Sequence, residues 1–137
     1  MASADELVLM GREARAKEDR AGAAAFYEQA VEAYERAGDA KRAMYALRHA
    51  AALRLQVHEV EVAREAIGRV LRVYREHGVE GLELANTLRV AALAEEAAGE
   101  KAAAREYWVE ARGLYQDEGV EAGAFEAGRR LMGLDGE

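Results

Sequence analysis

Apolar residues recur along this chain at intervals of three and four, the spacing of one face of an α-helix. Residues 47–55 and 67–74 show that spacing clearly, and the chain contains no proline to interrupt a helix. Glycines follow the helical stretches at the positions where a left-handed cap ends a helix: Gly38, Gly78, Gly99 and Gly119. The pattern predicts seven helices with short, antiparallel connections, over residues 4–17, 20–37, 39–56, 59–77, 79–98, 100–118 and 120–133.

The helical pattern also repeats, at offsets of 40 and 41 residues. Five slots of a second helix recur three times: Ala23, Tyr27, Ala30, Tyr34 and Gly38; Ala63, Ile67, Val70, Tyr74 and Gly78; Ala104, Trp108, Ala111, Tyr115 and Gly119. Three slots of the preceding helix keep that register: Leu7, Met10 and Gly11; Leu47, Ala50 and Ala51; Leu88, Ala91 and Ala92. Each unit is therefore a helical hairpin that must stack on a neighbour to bury its apolar face.

This spacing resembles the tetratricopeptide repeat over residues 5–119, in a long form similar to that of kinesin-light-chain-like and SNAP-like proteins. The family's closing proline is missing here. The resemblance implies an all-α fold of antiparallel helical hairpins, stacked as a right-handed superhelix. It implies a single domain over residues 1–137, with repeats at 4–38, 39–78 and 79–119 and a capping helix at 120–133. The alternative for the last segment is a dimerisation helix.

Composition narrows the class of partner. The net charge is −7, which disfavours nucleic acid, and the chain contains no cysteine for disulfides or thiolate metal sites. No segment approaches the roughly 18 consecutive apolar residues that predict a membrane helix, so no membrane partner is expected. The acidic start, residues 1–6, lacks the layout of a signal peptide, which predicts a cytoplasmic protein.

Candidate catalytic and metal-binding residues are few. The three histidines, His49, His58 and His77, have no metal-ligand spacing, and the one serine, Ser3, forms a capping box with Glu6. Glycine motifs that bind phosphates or dinucleotides are absent from the sequence. The residues therefore predict a protein that is not an enzyme and that has no metal and no cofactor. The tyrosines before the cap glycines are expected to pack between hairpins with their hydroxyls in water.

In the tetratricopeptide family, the first helix of each hairpin lines the concave face that holds a peptide. The resemblance places six residues of this chain there as a tentative binding set: Arg12, Arg15, Tyr45, Arg48, Asn86 and Arg89. Arginine beside Tyr and Asn suits an acidic or C-terminal peptide segment, although arginine is also this chain's ordinary basic surface residue. The predicted function is a non-catalytic adaptor that binds a protein or peptide. The alternative is a structural protein that self-associates as a homodimer.

Overall fold

A computed structural model of the protein describes residues 2–136, which form seven α-helices and no strand. The helices are α1 (Ala4–Ala16), α2 (Arg20–Arg36), α3 (Ala40–Gln56), α4 (Val60–Glu76), α5 (Gly81–Ala97), α6 (Lys101–Asp117) and α7 (Glu121–Asp135). Every end lies within two residues of its predicted position, so the all-α helical repeat arrangement is confirmed. Across the described residues, no helix is both long and apolar enough to cross a bilayer.

Local hydrogen bonds determine where the first helices begin. The Ser3 hydroxyl accepts from the Glu6 N–H, and the Glu6 carboxylate accepts from the Ser3 N–H, both at 3.2 Å. This is the predicted capping box, which satisfies two N–H groups that the helix itself leaves unpaired. Asp19 and Asp39 cap α2 and α3 through their carboxylates.

All six loops between helices close with the same backbone hydrogen bond. In the second loop, the Asp39 N–H donates to the Tyr34 carbonyl at 2.9 Å, and the equivalent bond recurs in the other five. Four loops carry the predicted glycine with φ between 65° and 79°: Gly38, Gly78, Gly99 and Gly119. The other two place Glu18 (φ 62°) and His58 (φ 66°) in this left-handed region, which the sequence did not indicate.

The chain divides into two compact units, one up to Val70 and one from Leu71 onward. In the first unit, α1 packs on α2 and α2 packs on α3. In the second unit, α5 packs on α6 and α6 packs on α7. The single domain over residues 1–137 and the right-handed superhelix stay predictions.

The predicted core slots are buried within each unit. Tyr27 is 1% exposed, and Trp108 is fully buried. Gly11 is buried beside Tyr27, and a Cβ atom at Gly11 would lie 2.9 Å from the Tyr27 Cε2 atom. Such a separation is too short for two carbon atoms, so only glycine fits there without a shift of the ring.

The helices α1–α3 and α5–α7 are related by a constant offset of 81 residues. The helix α2 begins at Arg20 and α6 begins at Lys101, while α3 begins at Ala40 and α7 begins at Glu121. The three-helix group is therefore a larger repeat than the hairpin, and each position of the first unit up to α3 has an equivalent in the second.

Equivalent residues in the two groups make equivalent contacts. The Tyr34 hydroxyl donates to Asp5 at 2.5 Å, and the Tyr115 hydroxyl donates to Asn86 at 2.7 Å. The prediction that these hydroxyls reach water was wrong, because a polar residue on the first helix of each group accepts them. Burial and the bond to Asp5 raise the pKa of Tyr34 to about 12.

The helix α7 is only partly covered. Ala127 and Leu131 are buried, and Gly123 lies against the Tyr115 ring. Phe125 and Met132, by contrast, are 69% and 76% exposed. The amphipathic segment predicted from the sequence thus buries one narrow stripe and leaves two large apolar side chains at the surface.

Candidate functional site

Four of the six sequence-predicted binding residues come together in the first unit. Arg12 and Arg15 lie one turn apart on α1, and Tyr45 and Arg48 lie one turn apart on α3. With two further side chains they form a group that we call the α1–α3 cluster: Arg12, Arg15, Tyr27, Tyr45, Arg48 and His49.

Three stacked aromatic rings form the base of the α1–α3 cluster. His49 stacks on Tyr27, with ring centroids 5.1 Å apart and an angle of 17° between the ring planes. Tyr45 meets the other side of the imidazole edge-on, at 4.6 Å and 68°. Because Tyr27 is almost completely buried, it fixes the orientation of His49, which then positions the Tyr45 ring.

The arginines of the cluster lie over these rings. The Arg15 Cζ atom is 5.3 Å from the centroid of Tyr27, and the Arg48 Cζ atom is 5.4 Å from the centroid of Tyr45. Both distances are typical of a cation–π contact. A hydrogen bond with Tyr45 is the largest cause of a raised pKa for Arg12. The guanidinium groups are thereby oriented by neutral partners and keep their full positive charge.

His49 is electrically neutral in the folded protein. Its Nδ1 atom lies 3.0 Å from the Arg15 Nη2 atom, and an arginine can only donate, so Nδ1 accepts and the ring hydrogen belongs to Nε2. Burial is the largest cause that lowers the pKa of His49, and Arg48, Arg15 and Arg12 lower it further, to about 3. The positive charge of the cluster therefore comes from its arginines.

Two of those arginines differ from most others in the protein. Arg54 binds Glu28 through two hydrogen bonds of 2.6 and 3.0 Å, a typical arginine–carboxylate pair. Arg12 and Arg15 are exposed, and within residues 2–136 neither of them has a carboxylate partner. An exposed pair of guanidinium groups on an aromatic base can donate several hydrogen bonds to one oxyanion.

The remaining two predicted residues, Asn86 and Arg89, belong to the second unit. The Asn86 amide oxygen accepts the hydroxyl of Tyr115. Arg89 donates two hydrogen bonds to Glu126, of 2.5 and 3.0 Å, and this contact lowers the pKa of Glu126. Both residues are thus engaged by side chains of their own unit.

The second unit contains a counterpart of the cluster with a different distribution of charge. The positions 81 residues after Arg15 and His49 are Glu96 and Arg130, which form an ion pair of 3.1 Å. Trp108, the equivalent of Tyr27, donates its indole N–H to Glu96 at 2.5 Å. The same contact therefore joins opposite charges in the second unit and an arginine and a neutral imidazole in the first.

Sequence analysis did not include His49 and Tyr27 in the binding set. The spacing of Tyr45, Arg48 and His49 along one helix face is a signal that could have added the histidine. The buried ring of Tyr27 gave no such signal, because its repeat slot predicts an ordinary core residue.

The α1–α3 cluster is suited to binding an anion. Its arginines are permanently protonated, and its histidine stays neutral over the physiological range. Comparison with protein-family models and with curated protein sequences finds no match for this chain. The proposals below therefore rest on the residues themselves and on the sequence resemblance.

Proposed function

We propose that this protein is a non-catalytic binding module of the tetratricopeptide type, which holds a negatively charged segment of a protein or peptide at the α1–α3 cluster. The observation that supports it most is the exposed pair Arg12 and Arg15, which lies over an aromatic base and has no carboxylate partner among the described residues. Charged arginine clusters with aromatic neighbours are a common means of recognising acidic motifs.

The chemistry of the cluster favours binding over catalysis. Arginine cannot exchange its proton at ordinary pH, so it cannot serve as a general acid or base. A histidine whose pKa is about 3 is a weak base near pH 7 and is far from the range in which proton transfer is efficient. The proposal therefore assigns no reaction, cofactor or metal to this chain, and it places the protein in the cytoplasm.

A peptide-array experiment tests this function. The array would contain acidic residues at every pair of positions in an alanine–serine background, with glutamine in place of the acids as the control series. The double variant Arg12→Gln/Arg15→Gln removes two charges while it keeps side chains of similar length. Its matched control is Arg20→Gln/Arg36→Gln, which removes the same charge from exposed positions of α2.

We expect wild type and the α2 control to bind the acidic series, and the cluster variant to bind it at least about tenfold more weakly. That loss corresponds to about 1.4 kcal/mol, within the range for hydrogen bonds to charged groups. Equal weakening of both double variants would mean that only net charge matters, and it would contradict the assignment of the site.

Self-association is the second candidate function. The observation that favours it is the exposed pair Phe125 and Met132, seven residues apart on one face of α7. Sedimentation velocity over a hundredfold range of concentration would distinguish the two. A stable dimer would favour the structural function, and a monomer would exclude it.

A further inference from the structure

We propose that the group which the α1–α3 cluster recognises is a phosphoryl group on a side chain of the partner. This inference rests on the proposed function and deepens it, because it names the chemical class of the bound group. It starts from the comparison between the two three-helix groups of the chain.

The second unit shows how its version of this arrangement is balanced electrostatically. Arg89 is paired with Glu126, and Arg130 is paired with Glu96. Two arginines are thus matched by two carboxylates, which come from two different helices, α5 and α7. In the first unit, the positions equivalent to these glutamates are Arg15 and Tyr45, where neither side chain is an acid.

The first unit therefore presents two arginine charges, those of Arg12 and Arg15, without the two carboxylates. One carboxylate of a partner would neutralise only one of these charges. A phosphoryl group carries about 1.5 to 2 negative charges near pH 7 and three acceptor oxygens on a single side chain. It supplies on one group the charge that the second unit obtains from two glutamates.

The geometry also suits one compact dianion. Arg12 and Arg15 are three residues apart on α1, so their Cβ atoms lie about 5–6 Å apart on one face of the helix. Arg15 is held over the Tyr27 ring, and Arg12 is held by Tyr45. Guanidinium forks held in this way can donate to different oxygens of one phosphoryl group, and their ordering costs little on binding.

The test compares three degenerate peptide libraries with the full-length protein. They share randomised flanking positions and differ only in a fixed central residue, which is phosphoserine, glutamate or serine. Binding is measured by fluorescence anisotropy for wild type, for Arg12→Gln/Arg15→Gln and for the control Arg20→Gln/Arg36→Gln. Inorganic phosphate is added as a competitor.

We expect wild type and the control to bind the phosphoserine library at least about tenfold more tightly than the glutamate library, and the cluster variant to lose this preference. Inorganic phosphate should compete only weakly. Equal affinity for phosphoserine and glutamate would overturn the inference and leave the proposed function intact. Failure to bind either library would contradict both. Inorganic phosphate that binds as tightly as the phosphoserine library would also overturn the inference, because the ligand would then be a free anion.

A gain of binding provides a second, independent test. The double variant Glu96→Gln/Glu126→Gln removes both carboxylates of the second unit but keeps an oxygen that can accept from the Trp108 indole. It leaves Arg89 and Arg130 without their ionic partners. We expect the number of phosphoserine peptides bound per chain to rise from one to two. A number that stays at one would overturn the charge comparison on which the inference rests.

Discussion

The close approach of Gly11 to Tyr27 leads to a prediction about stability. A methyl group at position 11 would lie 2.9, 3.0 and 3.3 Å from three atoms of the Tyr27 ring. That ring is 1% exposed and is stacked on His49, so it has little room to move away. Overpacking of this kind typically costs about 1–3 kcal/mol.

Gly11→Ala also has a favourable component, because alanine is preferred to glycine inside a helix by about 1 kcal/mol. With the overlap near the upper part of its range, we expect the free energy of unfolding to fall by about 1–2 kcal/mol. The matched control is Gly113→Ala, since no atom lies within 4 Å of a Cβ at that helical position. There the helix preference acts alone and should stabilise the protein by up to about 1 kcal/mol.

Urea unfolding, followed by circular dichroism at 222 nm, measures both variants under the same conditions. The two midpoints should move in opposite directions from wild type. If Gly11→Ala stabilised the protein as Gly113→Ala does, the Tyr27 ring would not be held in place, and the rigid aromatic base proposed for the site would be refuted.

Two further predictions concern His49 and the left-handed loop residue Glu18. The pKa of His49 is about 3 when folded and about 6.5 when unfolded. Below pH 6.5 the unfolded chain therefore takes up a proton that the folded protein does not, and stability falls as the pH decreases toward 3. The slope should be below about 1.4 kcal/mol per pH unit, because the ring is partly exposed, and urea midpoints for His49→Gln should lack it; an identical slope in both proteins would contradict this. Glu18→Gly should stabilise by about 0.5 kcal/mol, since relief of left-handed strain exceeds the entropy of glycine, whereas Glu13→Gly inside α1 should destabilise by about 1 kcal/mol; equal effects in urea titrations would argue against strain.

The sequence predicted the helices well because their signal is local. Periodic apolar residues, cap glycines and the Ser3–Glu6 box each depend on neighbours within one or two turns. The left-handed conformations of Glu18 and His58 were missed because neither residue type indicates that conformation. There the short connection between two packed helices imposes the backbone geometry.

The candidate site was predictable only in part. The repeat register brought Arg12, Arg15, Tyr45 and Arg48 into one set, and the structure places these four together. It did not reveal that Arg89 is paired with a glutamate 37 residues later on α7. Contacts between side chains of separate helices depend on rotamers and helix crossing, which periodicity does not encode. Whether the six residues bind a peptide stays a prediction.

The hydrogen bond that closes every loop has a consequence for the kinetics of folding. Since each loop is only three or four residues long, helices that pack extensively within a unit follow one another directly along the chain. Their contacts form with little loss of loop-closure entropy, so a low contact order should carry each unit across its barrier within roughly microseconds to milliseconds. A protein of this type would expose its apolar surfaces only briefly as it emerges from the ribosome, since each hairpin can close soon after its second helix is synthesised.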